Sequence, residues 1–195
     1  MRDTIFELDN VLSKDQCKKI IDLFESDPNI GPGHVSGGIR RPDVKTSIDL
    51  RITRADPTWK DIDALLENSL TQMISKYKHH LHDEFKCFRF NAWSKIFDNL
   101  EDTGYNIQRT DPGGFFTWHN DYEPMKNRIL TFIWYLNDVN PEDGGYTEFI
   151  DGRRIQPKAG KFIMFPATWT CTHRGFTLKK GKKYIVTGWL YYNSD

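Results

Sequence analysis

The sequence is short of several things, and each shortage excludes something. Neither sign of charge is in excess: 27 basic side chains stand against 27 acidic ones. That balance argues against a general nucleic-acid binder, which usually carries a basic surplus. No uncharged apolar run approaches the ~18 residues of a membrane span. Cysteine is scarce and odd in number, with Cys17, Cys87 and Cys171 far apart. They read as reduced thiols and lack the paired spacing of a zinc site. The N-terminus, MRDTIFELDN, has charges where a secretory signal would have its apolar core. We therefore expect a cytoplasmic protein with neither nucleic acid nor membrane as partner.

What is present fits one domain spanning 1–195. A chain of 195 residues can bury about 70% of its unfolded surface without disulfides. A hydrophobic share of 38% with 14% aromatic residues is too high for a disordered segment. Residues 4–8 alternate like a short strand. Ser13 then precedes Cys17, Ile20, Ile21, Leu23 and Phe24, the spacing of a capped amphipathic helix. Residues 27–45, rich in glycine and proline, predict a long loop, and 28–46 is a candidate substrate lid. A second helix is expected over about 57–82, with Ile62, Leu65, Leu66, Leu70, Met73, Ile74 and Tyr77 on its apolar face. After residue 104, short apolar or alternating runs fall near 105–109, 115–119, 129–136, 146–150, 161–165, 170–174 and 183–192. Many short strands at regular spacing indicate a β-sandwich or jelly roll. The expected class is α+β, with helical support over about 13–85 and a jelly-roll core over about 104–193.

Among six histidines, His79, His80 and His82 sit at a helix end and read as a solvated cationic cap. His34 lies in the glycine-rich loop. His119 and His173 fall in predicted strands. His119 belongs to F-F-T-W-H-N-D-Y, and in a strand His119 and Asp121 share a face. With His173 from another strand, they make two imidazoles and one carboxylate. That set leaves half of an octahedral metal open and suits non-haem Fe(II). The ordinary alternative is a chance His-x-Asp. Lys183 opens the last strong strand, where Lys183, Ile185, Thr187 and Trp189 alternate onto one face. If that face points inward, Lys183 needs a ligand carboxylate, because a buried unpaired ammonium is costly. Thr187 can add a hydroxyl hydrogen bond.

The order H-x-D, His and then a basic residue resembles the 2-oxoglutarate- and Fe(II)-dependent oxygenases, in particular the prolyl 4-hydroxylase branch. F-E-L-D-N-V-L-S-K-D-Q-C at 6–17, R-I-L-T-F-I-W-Y-L-N at 128–137 and G-G-Y-T-E-F at 144–149 also resemble that branch. So do F-I-M-F-P at 162–166 and K-Y-I-V-T-G-W at 183–189. The resemblance implies a double-stranded β-helix, or jelly roll, with N-terminal supporting helices. It implies Fe(II) on His119, Asp121 and His173, with 2-oxoglutarate as co-substrate on Lys183, Tyr135 and Thr187. Ascorbate is the implied reductant. The sequence departs from the branch where Arg109 or Thr110 replaces a tyrosine ahead of the H-x-D. Phe116, three residues before His119, stands where the branch has an aromatic wall.

The implied reaction is hydroxylation of a C–H bond, in a prolyl residue of a peptide or protein, with release of succinate and CO2. Arg40, Arg41, Phe116 and Trp118 are candidate substrate contacts. Trp93, Trp134 and Trp169 are further aromatic candidates, although aromatic residues in β cores usually just pack. Alternatives are an oxygenase of the same fold acting on a free amino acid or another small molecule, a nucleic-acid dealkylating oxygenase, and a non-catalytic metal- or peptide-binding module. The neutral charge balance and the lysine at 183 count against the dealkylating enzyme. The complete ligand set counts against the module.

Overall fold

The computed structural model describes residues 3–86, 91–123 and 127–193. In chain order its strands and helices are β1 (Phe6–Leu8), α1 (Lys14–Ser26), β2 (Gly31–Pro32), β3 (Ile48–Ile52), α2 (Lys60–Phe85) and α3 (Asn91–Asp98). There follow β4 (Leu100–Asp102), β5 (Tyr105–Thr110), β6 (Phe116–His119), β7 (Arg128–Tyr135), β8 (Thr147–Phe149) and β9 (Arg154–Ile155). The last three are β10 (Phe162–Pro166), β11 (His173–Gly175) and β12 (Lys183–Tyr192). The expected α+β jelly roll is what forms. A large antiparallel sheet has the order β1-β10-β7-β12-β5-β3-β2, with β4 also paired to β12. A smaller sheet has the order β6-β11-β8-β9.

The helices begin and end for local reasons. Ser13 accepts from the Gln16 N–H while the Gln16 side chain accepts from the Ser13 N–H, a reciprocal capping box at the start of α1. The second helix starts at Lys60 rather than Pro57, because Pro57–Trp59 forms a tighter turn capped by Asp56. No helix among the described residues is long and apolar enough to cross a membrane.

Alternation decides which layer each strand residue joins. On β7, Leu130, Phe132 and Trp134 pack toward α1 and α2, while Ile133 and Tyr135 face the smaller sheet. On β10, Phe162 and Met164 take the helix side, and Ile163 and Phe165 the inner side. Both strands are covered on both faces, so they read as unbroken apolar runs. Gly188 on β12 has a packing reason, since a Cβ there would sit 2.5 Å from the Phe132 ring.

Two expectations change. The loop 27–45 contains β2 and a short turn at Ser36–Gly38, and β3 follows it as an additional strand of the large sheet. The strand expected at 170–174 begins only at His173, because Trp169–Cys171 closes a tight turn. Cys171 lies in that turn and packs with Tyr135, Phe149 and Phe165 in the inner core. Cys17 is also buried, and burial pushes its thiol up to about 11. Cys87 and the Trp93 side chain lie outside the described residues.

Candidate active site

The space between the sheets is apolar at one end and open at the other. The apolar end holds Ile133, Tyr135, Phe149, Ile155, Ile163 and Phe165. The open end is a cavity of about 780 Å³. It is lined by polar side chains from both sheets, among them His119, Asp121, His173, Lys183, Thr187 and Thr131.

His119 ends β6 and His173 begins β11, and the two are register partners. Their rings lie 4.3 Å apart between centroids. Asp121 does not lie on β6, which stops at His119. It reaches the same place because its N–H donates to the Ala167 carbonyl at 3.1 Å. Arg128 Nη1 holds its main-chain oxygen at 2.9 Å. His119 Nε2 is 3.9 Å from Asp121 Oδ1, and His173 Nε2 is 3.6 Å from Asp121 Oδ2. One ligand atom from each residue falls within 4.8 Å of the others, so the three could hold a metal ion. This is the one such group among the described residues.

Main-chain carbonyls orient both imidazoles. Nδ1 of His119 meets Thr117 O at 2.8 Å, and Nδ1 of His173 meets Cys171 O at 3.0 Å. A carbonyl only accepts, so Nδ1 carries the proton and Nε2 is left bare toward Asp121. Burial, aided by the facing His173, pushes the His119 imidazole down to about 4. Burial opposes the Asp121 charge, but His173, His119 and the Thr131 hydroxyl outweigh it and hold the carboxyl below its usual range. Thr131 Oγ1 donates to Asp121 Oδ2 at 2.8 Å. Phe116 stacks on His119 with centroids 3.6 Å apart and walls the cavity.

Lys183, Ile185, Thr187 and Trp189 all line the cavity, as their alternation predicts. The Lys183 side chain is buried, and no hydrogen bond or ion pair meets its ammonium among the described residues. Burial alone pushes that ammonium down to about 8. The Tyr135 ring lies beneath it, 5.7 Å from Nζ. The Tyr135 hydroxyl pairs with Thr147 Oγ1 at 2.7 Å, and Thr187 Oγ1 donates to the Phe132 carbonyl at 2.9 Å.

The remaining candidates scatter. Arg41 makes an exposed ion pair with Asp43 at 2.7 Å, and neither Arg40 nor Arg41 lines the cavity. Trp118 points outward and is 44% exposed. Trp134 is buried on the helix side, donating to Ser69 Oγ at 3.2 Å, and Trp169 is 75% exposed.

Sequence reasoning passed over the opposite wall. Lys45, Ser47, Asp49 and Arg51 line the cavity, with Asn106, Gln108 and Thr110 from β5 beside them. Lys45 is buried and paired with Asp49 at 2.6 Å, and Ser47 also donates to Asp49. The signal was legible: from Ser47 to Ile52 polar and apolar residues alternate without a break.

Two histidines and one carboxylate converge inside an antiparallel jelly roll, in one cavity with a buried lysine that has no charged partner among the described residues. Such a donor set, in a cavity that also holds an unpaired ammonium, suits a metal ion together with a small carboxylate ligand. The donor set fits Fe(II), and the lone ammonium fits the far carboxylate of a dicarboxylate. Residues 105–191 match the model of the 2OG-Fe(II) oxygenase superfamily. The chain is 22% identical over 213 residues to prolyl 4-hydroxylase 13 of Arabidopsis thaliana, covering 95% of this chain and 70% of that protein. Its fold resembles the viral collagen prolyl hydroxylase of Paramecium Bursaria Chlorella virus-1 in its 2OG complex. The TM-score there is 0.71 at 19% identity, with 96% of each chain covered. It also resembles a Trichoplax adhaerens prolyl hydroxylase solved with a hypoxia inducible factor peptide fragment. That TM-score is 0.76 at 15% identity, covering 97% of this chain and 84% of the other. Over residues 105–191, then, the chain is similar to that superfamily, and its fold is that of the prolyl hydroxylase structures.

Proposed function

We propose that this protein is an Fe(II)- and 2-oxoglutarate-dependent oxygenase that hydroxylates a prolyl residue in a peptide or protein, releasing succinate and CO2. The observation that carries the proposal is one cavity holding both the His119, Asp121, His173 cluster and the partnerless Lys183. His119 and His173 would hold iron through their bare Nε2 atoms and Asp121 through the carboxylate oxygen that Thr131 leaves free. Bound iron, with 2-oxoglutarate and O2, supplies the oxidising power that turns a C–H bond into C–OH. Lys183 would pair with the far carboxylate of 2-oxoglutarate. Tyr135 and Thr187 would assist by turning hydroxyls that now bond Thr147 and Phe132. Phe116 shields the His119 side of the metal from water. Cavities of about 300–1,000 Å³ hold drug-sized ligands, so this one leaves room for a side chain beside the co-substrate. Arg40 and Arg41 would meet only a substrate that extends past the cavity mouth. The names of the similar proteins support proline as the target. Ascorbate as reductant and a cytoplasmic setting belong to the same proposal.

The test is anaerobically loaded Fe(II) protein given 2-oxoglutarate, O2 and a library of proline-containing peptides. A mass gain of one oxygen atom with matching succinate is expected. Turnover of free proline but of no peptide would move the substrate to the small-molecule class. No succinate at all, even uncoupled, from protein that retains iron would overturn the oxygenase function. Asp121→Ala should lower Fe(II) affinity by at least about a hundredfold; wild-type affinity in that variant would remove Asp121 from the ligand set.

A further inference from the structure

The outer face of the small sheet carries a row that the chemistry at the metal does not use. Arg174 is the residue after His173, so its side chain points away from the cavity. Register sets Arg174 opposite Glu148 and Glu148 opposite Arg154. Trp118 on β6 lies beside Arg174, 4.7 Å from ring centroid to guanidinium carbon. Phe176 covers Arg174 from its other side at 5.1 Å, and Arg154 lies over Tyr146 at 4.9 Å. Phe176 and Tyr146 themselves stack at 4.5 Å. Two guanidiniums and three aromatic rings thus form one continuous strip across the four-stranded sheet.

The charge of this strip is unbalanced. Glu148 is nearly covered, and both of its oxygens are taken. Arg154 Nε donates to Oε1 at 2.7 Å and Arg174 Nε to Oε2 at 2.6 Å. No other acceptor among the described residues meets either guanidinium. Two cations therefore share one anion, and the Arg154 side chain is 60% exposed. Arginine forks held flat on aromatic rings are pre-organised for a carboxylate. The strip is also continuous with the cavity, because Gly175 and Phe176 line its rim.

We propose that this strip docks an acidic segment of the peptide substrate, flanking the residue that is hydroxylated, a proposal that rests on the peptide-hydroxylation reading above. The target residue enters the cavity, and the chain passes over the Phe176 rim onto the outer face. There Arg154 and Arg174 take Asp or Glu side chains, and Trp118 and Tyr146 cover the intervening residues. The substrate is thus selected by a proline for the cavity and by negative charge outside it. Trp118, expected from the sequence as a substrate contact, acts on this outer face rather than near the metal.

The experiment uses two fluorescein-labelled peptides that share one proline-containing core, one with a Glu-rich flank and one with Gln in its place. Each is titrated anaerobically against the full chain with Fe(II) and 2-oxoglutarate, so that binding is read without turnover. The Glu peptide is expected to bind about three- to tenfold more tightly, and high salt should erase the difference. Arg154→Gln, at a mostly exposed position, should remove that preference; Trp118→Ala should weaken binding of the Glu peptide. Equal affinities in the wild type, or no binding of either peptide, overturn the proposal. So does a preference that survives in both Arg154→Gln and Arg174→Gln. Displacement by a single-stranded oligonucleotide at lower concentration than the Glu peptide requires would reassign the strip to nucleic acid and also overturn it. Succinate and peptide mass are read in parallel after O2 is admitted. Hydroxylation without Glu preference sinks only the docking strip; Glu preference without hydroxylation sinks only the reaction.

Discussion

Lys45 and Lys183 reach the same cavity from opposite walls, and each is 6% exposed. Lys45 has a carboxylate of its own, Asp49 at 2.6 Å, and its ammonium lies 5.4 Å over the Phe116 ring. Lys183 has only the face of Tyr135. A third buried lysine, Lys161, is paired with Glu7. Equal burial with unequal partnering separates two purposes. A buried ammonium that the chain has neutralised holds a wall together. One that it has left alone adds nothing to the fold and marks where a charged ligand completes the structure.

The contrast can be broken by experiment, beginning with the largest effect. Lys183→Ala should raise the KM for 2-oxoglutarate by about a hundredfold, the loss of a buried charge-assisted pair. Iron affinity should move far less, as read by metal titration. An unchanged KM would mean that some other cation serves the co-substrate. Lys45→Met should destabilise the protein by about 3 kcal/mol in denaturant melts, because it strands a half-buried carboxylate. Lys183→Met should do the opposite and raise the stability of the ligand-free protein by about 1–3 kcal/mol, because it removes an uncompensated charge. Equal signs for the two methionine variants would erase the distinction between them.

The smallest effect is in pH. The Lys183 ammonium is pushed down from 10.5 to about 8 in the free protein, and a bound carboxylate favours its charged form. Below about pH 8 the lysine is already charged, so 2-oxoglutarate affinity should be flat on its account. Above that, binding must draw a proton, and affinity should fall by up to about tenfold per pH unit. The unfolded chain binds the extra proton between about pH 8 and 10.5, so ligand-free stability should rise across that window. Calorimetry of 2-oxoglutarate binding at several pH values, with melts alongside, reads both slopes.

Much of this site was visible before any coordinates. Apolar runs at 128–136 and 162–166 and the alternation from Lys183 to Trp189 placed the central strands and aimed Lys183 inward. Asp121 was reached by an incomplete route. Strand alternation set it on the His119 face, but β6 ends before it, and hydrogen bonds from Arg128 and Thr131 and to Ala167 do the placing. Such contacts join positions far apart in the chain and leave no local period to read. The wall at 47–51 did leave one, hidden because the glycine- and proline-rich stretch before it reads as loop. Hydroxyl directions were beyond reach. Thr187 lines the cavity while Tyr135 is buried in the inner core, and their bonds to Phe132 and Thr147 depend on atoms from other strands.

The position of β12 has a consequence for how the protein is made. It follows every other described strand in the chain, yet it lies between β7 and β5 in the middle of the large sheet. The sheet cannot zip up in the order in which it is synthesised; β7 and β5 must wait, with unpaired edges, for a partner delivered last. Contacts of such long sequence separation slow folding and prolong exposure of those edges. A nascent chain can carry both histidines and Asp121 and still lack Lys183, which arrives on the closing strand. Completion of the large sheet and entry of Lys183 into the cavity are therefore one event.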